Sequence, residues 1–186
     1  MTDVALAVGG DQELLSDYRL ACDAFADALR AARGQPDAPT PAPEGNVAAV
    51  LEHVFAVHDT LLLEPLGAAP PDRPEDEPEA RWAAAVTALF PALAQPGALD
   101  QRVLLIGMVT TDVLIHSWDV SRAVGAHVPL DPGLCQSGYD RALENRKVLE
   151  RSGALGVPVA VPEDAPAQNR LLGLFGRDPN WCQPVS

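Results

Sequence analysis

The chain has 186 residues, 47% hydrophobic and 21% charged, a balance that predicts one globular domain over residues 1–186. Its 13 basic and 26 acidic residues give a net charge of -13, which argues against nucleic acid and anionic membranes as partners. Cys22, Cys135 and Cys182 follow no disulfide or metal spacing, and the first residues lack the basic flank of a signal sequence. No stretch has the length expected of a membrane span, so we expect a cytoplasmic protein.

Helical periodicity organises the first part of the chain. A first helix is predicted over Gly10–Gly34, with Asp11 as its N-cap and Gly34 as its stop. The four prolines of Gln35–Gly45 predict a loop, after which Asn46 caps a second helix. The apolar side of this second helix is formed by Val47, Val50, Leu51, Val54, His58, Leu61 and Leu62.

The middle of the chain contains the most apolar segment. Pro65–Glu79 is rich in Pro, Ala, Asp and Glu, which predicts a solvated and mobile connection. A third helix follows over Ala80–Leu93, and Pro91 is expected to end or kink it early. The next helix runs from about Leu99 to Val124 and stops at Gly125. Because its first half has no polar face, we expect it to be central and buried.

The last third of the chain begins with a capping pair, Asp131-Pro132, which predicts the start of a fifth helix. After Gly153 the chain is rich in Pro and Gly, with a short helical segment, LLGLFG, and a loose tail. No segment alternates as a strand does. The sequence therefore predicts an all-α fold with a four-helix bundle core, an additional helix and an irregular Pro-rich C-terminal strap.

Ionisable side chains interrupt the central helix. Asp112, His116 and Asp119 are spaced i, i+4 and i+7, so they project from one side. Ionisable groups are rarely buried unless they are paired or bind a metal. A carboxylate and a histidine four residues apart can direct two ligands at one ion. This helix is therefore expected to contain the functional site.

A third metal ligand has to come from another helix, and the second helix has two histidines. The helical wheel favours His58 for burial, because it lies near the centre of the apolar stripe. His53 lies about 120° from that centre, at the edge of the stripe. Periodicity alone leaves the choice between them open.

Simpler explanations account for the same residues. Asp112 could accept hydrogen bonds from one of the two preceding threonines or from an arginine of a neighbouring helix. His116 could be a core histidine whose hydrogen bonds are satisfied. Asp119 and Arg122, three residues apart, could form a structural ion pair. The residues alone leave these explanations open beside the metal site.

The stretch DVLIHSWDVSRAVG, from Asp112 to Gly125, resembles the D/E-x3-H-x-W-D-x-x-R-A-x-G signature of the DinB-like metal-binding superfamily. The most similar branch is that of the N-terminal domain of mycothiol-dependent maleylpyruvate isomerase. Its segment P-C-P-G-W-T-V-R-D-L-V-x-H corresponds without a gap to PAPEGNVAAVLEH, from Pro41 to His53. The ending PVAVPEDAPAQNRLLGLFGRDPNW is also similar, so the resemblance spans nearly the whole chain.

The resemblance implies a DinB-type four-helix bundle that binds one divalent metal, zinc or nickel. Carried over position by position, the metal ligands are His53, Asp112 and His116. The residues assigned to the core, the pocket or the surroundings of the ligands are His58, Trp118, Asp119 and Arg122. Bundles of this family often dimerise, so the resemblance allows a homodimer.

The function implied by the resemblance is a metal-dependent enzyme that uses a mycothiol-like thiol for sulfur transfer to a small electrophile or for its isomerisation. In this chain Ala42 replaces the Cys of the family segment, and Glu44-Gly45 replaces its Gly-Trp. The chain also ends without the second domain of maleylpyruvate isomerase, so we do not expect that particular isomerisation. The alternatives are a thiol-independent lyase, cyclase or isomerase of a biosynthetic pathway, or a metal- or ligand-binding protein without turnover.

Overall fold

A computed structural model describes residues 2–69, 77–126 and 128–183, with only the backbone for residues 2–9. These residues form seven α-helices, one π-helix and no strand, so the predicted all-α fold is confirmed. The helices are α1 Thr2–Ala31, α2 Val47–His58, α3 Pro78–Leu93, α4 Val103–Ala123, α5 Pro132–Glu144, α6 Arg146–Ser152 and α7 Ala167–Leu174. The π-helix, Asp59–Leu63, continues α2 by one turn.

Helix α4 lies at the centre of the packing, as its composition predicts. It contacts α1, α2 and α5, and α7 packs against α5. From Ile106 to Ala123 most of its side chains are buried. Its first turn differs from the expectation, because Val103 and Leu104 are about half exposed. The buried part of α4 is the part that contains the ionisable residues.

Helix α4 is also long and apolar enough to cross a membrane, contrary to the expectation from the sequence. However, 72% of its apolar window is buried inside the protein. Such burial is typical of the core helix of a soluble protein.

Two of the predicted N-caps and the predicted stop of α1 agree with the structure. The side chain of Asn46 accepts a hydrogen bond from the Ala49 amide at 2.9 Å, and that of Asp131 accepts one from the Leu134 amide at 2.9 Å. Gly34 follows the end of α1 with a φ of 76°, a backbone conformation that side chains other than glycine rarely adopt.

Two helix starts were placed wrongly. Helix α1 begins at Thr2, so Asp11 lies inside the helix and is not its N-cap. The preceding residues, rich in Ala, Val and Leu, continue the helix, and Gly9-Gly10 does not interrupt it. Helix α4 begins at Val103 rather than near Leu99, because residues 99–102 form turns.

Two predicted interruptions also differ from the structure. Pro91 does not end α3, which continues to Leu93, because a proline in the last turn removes one hydrogen bond near a frayed end. The predicted fifth helix is divided at Asn145 into α5 and α6. Of the predicted connection Pro65–Glu79, residues 70–76 lie outside the described residues, and Pro78 and Glu79 belong to α3.

The three cysteines are free thiols in different environments. Cys22 and Cys135 are buried in the core, whereas Cys182 is exposed. Burial raises the pKa of the Cys22 thiol and of the Cys135 thiol to about 12. Both buried thiols are therefore protonated and shielded at neutral pH, and thiols react as thiolates.

We expect a disulfide reagent such as Ellman's reagent to modify one thiol in the native protein and three after unfolding. Cys182→Ser should leave no rapidly reacting thiol in the native state. Rapid modification of a second thiol in the folded protein would contradict the burial of Cys22 and Cys135.

Candidate metal centre

Three side chains from two helices converge on one point. The Nε2 atom of His53, on α2, lies 3.5 Å from Oδ1 of Asp112 on α4. The Nε2 atom of His116, one turn further along α4, also lies 3.5 Å from this oxygen. The centroids of the two imidazole rings are 4.9 Å apart. The structure thus brings together the three residues that the resemblance assigns as ligands.

The spacing of these atoms matches the donor shell of a small cation. Tetrahedral coordination with bonds of about 2.0–2.2 Å keeps the ligand atoms roughly 3.4 Å apart. The separations of 3.5 Å from Asp112 Oδ1 to the two nitrogens are close to that value. Two imidazoles and a carboxylate are donors that suit zinc or nickel.

A carboxylate lies behind each imidazole ring. Nδ1 of His116 lies 3.0 Å from Oδ2 of Asp119, which is completely buried. Nδ1 of His53 lies 3.9 Å from Oε1 of Glu44, in the loop before α2. A carboxylate on the second nitrogen orients a ligating histidine and makes it more basic. Both rings therefore present Nε2 to Asp112 and Nδ1 to another acid.

Buried oxygens without partners mark the same place. Oε2 of Glu44 and Oδ2 of Asp112 are buried and accept no hydrogen bond from the described residues. A buried acceptor without a donor costs about 1–3 kcal/mol, and more when it is charged. Donor atoms of Glu44, His53 and His116 also lie within 4.8 Å of one another. A cation at this point would satisfy both oxygens.

The acids also determine the charge of the site. Burial alone would lower the pKa of His116, but Asp112 and then Asp119 outweigh it and raise this pKa to about 10. Burial raises the pKa of Asp112, but His116 and His53 outweigh it and hold this pKa well below its usual range. The acids around the two imidazoles therefore favour a positive charge at this site.

Glu44 was not identified as a site residue from the sequence. It was noted only because Glu44-Gly45 replaces the Gly-Trp of the family segment. The signal that could have identified it is an acid in the loop that leads into a histidine-bearing helix. Its distance from His53 is a tertiary contact, which spacing does not predict.

His58 lies in the core and makes its hydrogen bond and ring contacts with residues other than the converging ligands. Its side chain is 1% exposed, and its Nδ1 donates to the Val54 carbonyl at 2.8 Å. The ring stacks on Tyr18 and meets Trp82 edge-on. The helical wheel thus predicted the burial of His58 correctly, but burial did not identify the residue beside Asp112.

The other residues near the ligands have structural contacts. The buried Asp119 accepts hydrogen bonds from Arg177, at 2.9 Å from Nη2 and 3.3 Å from Nε. This arginine, unlike Arg122, was not expected from the sequence. The Arg122 guanidinium lies 5.6 Å from the ring centroid of the buried Trp118.

The threonines exclude one simpler explanation of Asp112. Thr110 donates its hydroxyl hydrogen to the Ile106 carbonyl at 2.7 Å, and Thr111 donates to Gly107 at 3.0 Å. The hydroxyl hydrogens are thus used within α4. The interpretation of Asp112 as an acceptor for these threonines is wrong.

A cavity of about 640 Å³ adjoins the converging residues. Its walls come from α2, α4, α5, α6 and the C-terminal segment, and most of the lining side chains are apolar. Four acidic and histidine residues lie on one part of this wall: Glu44, His53, Asp112 and His116. A cavity of this size and lining suits a small organic molecule.

Comparison with known proteins shows two mycobacterial relatives. The chain is 30% identical over 179 residues to "Uncharacterized protein Rv0738" of Mycobacterium tuberculosis strain H37Rv, with 88% of this chain and 97% of the relative covered. The same values hold for "Uncharacterized protein MT0763" of strain CDC 1551. The chain belongs to the family of these two proteins. No protein-family model and no solved structure matches it.

We expect His53→Ala and His116→Ala to abolish stoichiometric binding of zinc or nickel, because each removes one of two converging imidazoles. His58→Phe is the matched control: it keeps an aromatic ring against Tyr18 and Trp82 and should retain the metal. Elemental analysis of the purified variants measures this. Metal retained without His53 but lost without His58 would contradict the assignment.

A second prediction concerns His58 and pH. Burial lowers the pKa of His58 below its ordinary value of 6.5, so the unfolded chain binds the proton more readily than the folded one. The contribution of neutral His58 to stability is therefore complete above about pH 6.5 and decreases below it. We expect the wild type to lose stability relative to His58→Phe between pH 7.5 and 5.5, each value being roughly one unit from that pKa.

Urea unfolding of both proteins in the presence of a chelator measures this difference, because the other titrating groups are shared. Parallel stability curves for the two proteins would show that His58 does not contribute to the pH dependence.

Proposed function

We propose that this protein is a divalent-metal-dependent enzyme of the DinB-like type. In this proposal it uses a low-molecular-weight thiol, such as mycothiol, to transfer sulfur to a small electrophile or to isomerise it. The observation that carries the proposal is the convergence of His53 and His116 on Asp112 at the wall of a cavity. Three protein ligands beside a cavity leave coordination positions for a small molecule, as catalytic sites require.

The residues present fit such a metal. His53, Asp112 and His116 would hold it, and Asp119 keeps Nδ1 of His116 occupied so that Nε2 faces Asp112. A divalent cation bound there would lower the pKa of a contacting thiol, which is then available as the nucleophilic thiolate at neutral pH. Arg177 holds Asp119 in turn, so the orientation of His116 depends on the C-terminal segment.

The thiol in this proposal comes from a small molecule. The described residues that line the cavity include no cysteine. Two of the three protein thiols are buried in the core. A reducing cytoplasm, the location we propose, would keep a soluble thiol reduced. The two relatives are mycobacterial, which supports mycothiol as the first candidate.

One observation favours a second candidate, a thiol-independent lyase, cyclase or isomerase. Glu44 places a carboxylate with a partnerless oxygen on the cavity wall, where the family segment has Gly-Trp. A carboxylate at this position can act as a general base and remove a proton from a bound substrate. Such an enzyme would need the metal but no added thiol.

The test measures thiol consumption with a model electrophile such as monochlorobimane. We expect turnover by the zinc- or nickel-loaded protein with mycothiol, and a loss of at least about tenfold with a chelator or in His116→Ala. His58→Phe is the control that should keep activity. Consumption that is equal with and without metal would overturn the proposal.

Glu44→Gln separates the two candidates. If Glu44 only orients His53, the amide variant should bind metal about 10- to 100-fold more weakly and regain activity at saturating metal. If Glu44 is instead the general base of a thiol-independent reaction, neither the metal-loaded wild type nor Glu44→Gln should consume thiol.

A further inference from the structure

The cavity has a second polar feature, at a distance from the histidines. Arg141, on α5, lines it with a half-buried guanidinium. Its Nη1 donates to the Gly107 carbonyl at 2.9 Å and lies 3.4 Å from Oγ1 of Thr111. Both hydrogen bonds of the Arg141 guanidinium to the described residues come from this one nitrogen. The Nε and Nη2 groups therefore make no hydrogen bond within the described part of the chain.

Within the described part of the chain, Arg141 forms no ion pair with an acidic side chain. Among the described residues, no carboxylate lies within 4.0 Å of Arg141, and Asp17 and Glu144 act on it only at longer range. Arginine nevertheless stays charged in proteins. Arg177, the other arginine on the cavity wall, is already paired with Asp119. Arg141 is thus a cation on the cavity wall without an acidic partner in the described chain.

A glycine in α4 makes room for this guanidinium. A Cβ atom at Gly107 would lie 2.5 Å from Nε and 2.8 Å from Cζ of Arg141. Glycine inside a helix is destabilising relative to alanine. A side chain at position 107 would collide with Arg141, so the observed position of the guanidinium requires glycine there.

The surroundings determine which ligand fits. The wall near Arg141 is apolar and includes Leu105, Met108, Ala142 and Leu149. Gly107 precedes Asp112 by five residues on α4, which corresponds to about 7 Å along the helix axis. The cavity wall therefore offers a cation at Arg141 and, further along α4, the converging histidines and acids.

We propose that Arg141 binds the carboxylate of a small organic acid, whose apolar part fills the cavity and whose far end reaches the metal centre. The placement of the far end rests on the proposed function, whereas the carboxylate site does not. A carboxylate forms two parallel hydrogen bonds with one guanidinium, and Nε and Nη2 are available for them. Phosphate sites commonly combine several donors, such as backbone amides at a helix N-terminus, so a single guanidinium favours a carboxylate.

The test compares 4-phenylbutyrate with its neutral amide, 4-phenylbutanamide, by calorimetry with the full chain in a chelator. Without metal, a carboxylate cannot gain affinity by coordination. We expect the wild type to bind the acid at least about tenfold more tightly than the amide, the range of a charge-assisted hydrogen-bond pair. Arg141→Gln should remove this preference, and the exposed Arg146→Gln on α6 should retain it.

Two further variants keep the test decisive if Arg141→Gln folds poorly. Gly107→Ala retains the arginine but displaces it, and should also weaken the preference for the acid. Arg141→Lys keeps the charge without the planar fork and should give an intermediate preference.

Three results would overturn the proposal. They are no preference for the acid in the wild type, an unchanged preference in both Arg141→Gln and Gly107→Ala, or tighter binding of the matched phosphonate than of the carboxylate. Because these titrations contain no metal, they remain informative if metal-dependent turnover is not observed. Conversely, turnover without Arg141-dependent binding would leave the metal proposal intact.

Discussion

The buried ion pair between Asp119 and Arg177 is the interaction on which the rest of the site depends. Asp119 is completely buried in α4, and two nitrogens of Arg177 bind its carboxylate. A third nitrogen, Nδ1 of His116, lies 3.0 Å from the same group. Removing one partner of a buried pair typically costs about 3–5 kcal/mol, because the remaining charge stays buried. This ion pair therefore links the orientation of His116 to the position of the C-terminal segment.

The C-terminal segment in turn forms part of the cavity wall. The amide of Val159 donates to the Gly173 carbonyl at 2.8 Å, so the strand-like stretch before α7 lies directly on that helix. A Cβ at Gly173 would lie 2.7 Å from the Val159 carbonyl oxygen, which requires glycine at this close approach. Phe175 and Arg177, just after α7, face the cavity. The Pro-rich C-terminal segment thus lies on α7 and forms part of the cavity wall.

The cavity wall carries two polar features of opposite electrostatic preference. Three acids surround the two imidazoles, and two of these acids, Asp112 and Asp119, raise the pKa of His116. Arg141 lies against the backbone of α4 on the same cavity wall. A cation beside the acids and an anionic group beside Arg141 would compensate both. This polarity agrees with a small, bifunctional ligand better than with an apolar one.

Much of the helical framework follows from local sequence signals. The caps at Asn46 and Asp131 and the stop at Gly34 depend on residues within one turn, so the sequence determines them. Asp112 and His116 share a face because they lie one helical turn apart. Local signals do not mark every helix boundary. The start of α1 and the division of the predicted fifth helix at Asn145 were therefore not predicted.

The composition of the site was decided by contacts between distant parts of the chain. The helical wheel could not choose between the two histidines of α2; the resemblance selected His53, and the tertiary structure places it beside Asp112. Arg177 reaches Asp119 across 58 residues, and Arg141 reaches Gly107 across 34. Periodicity describes which side of one helix is buried, but not which residue of another element meets it. The sequence by itself therefore determined the helices and the ligand pair on α4, whereas only the packing of α2, α5 and the C-terminal segment on α4 decided their partners.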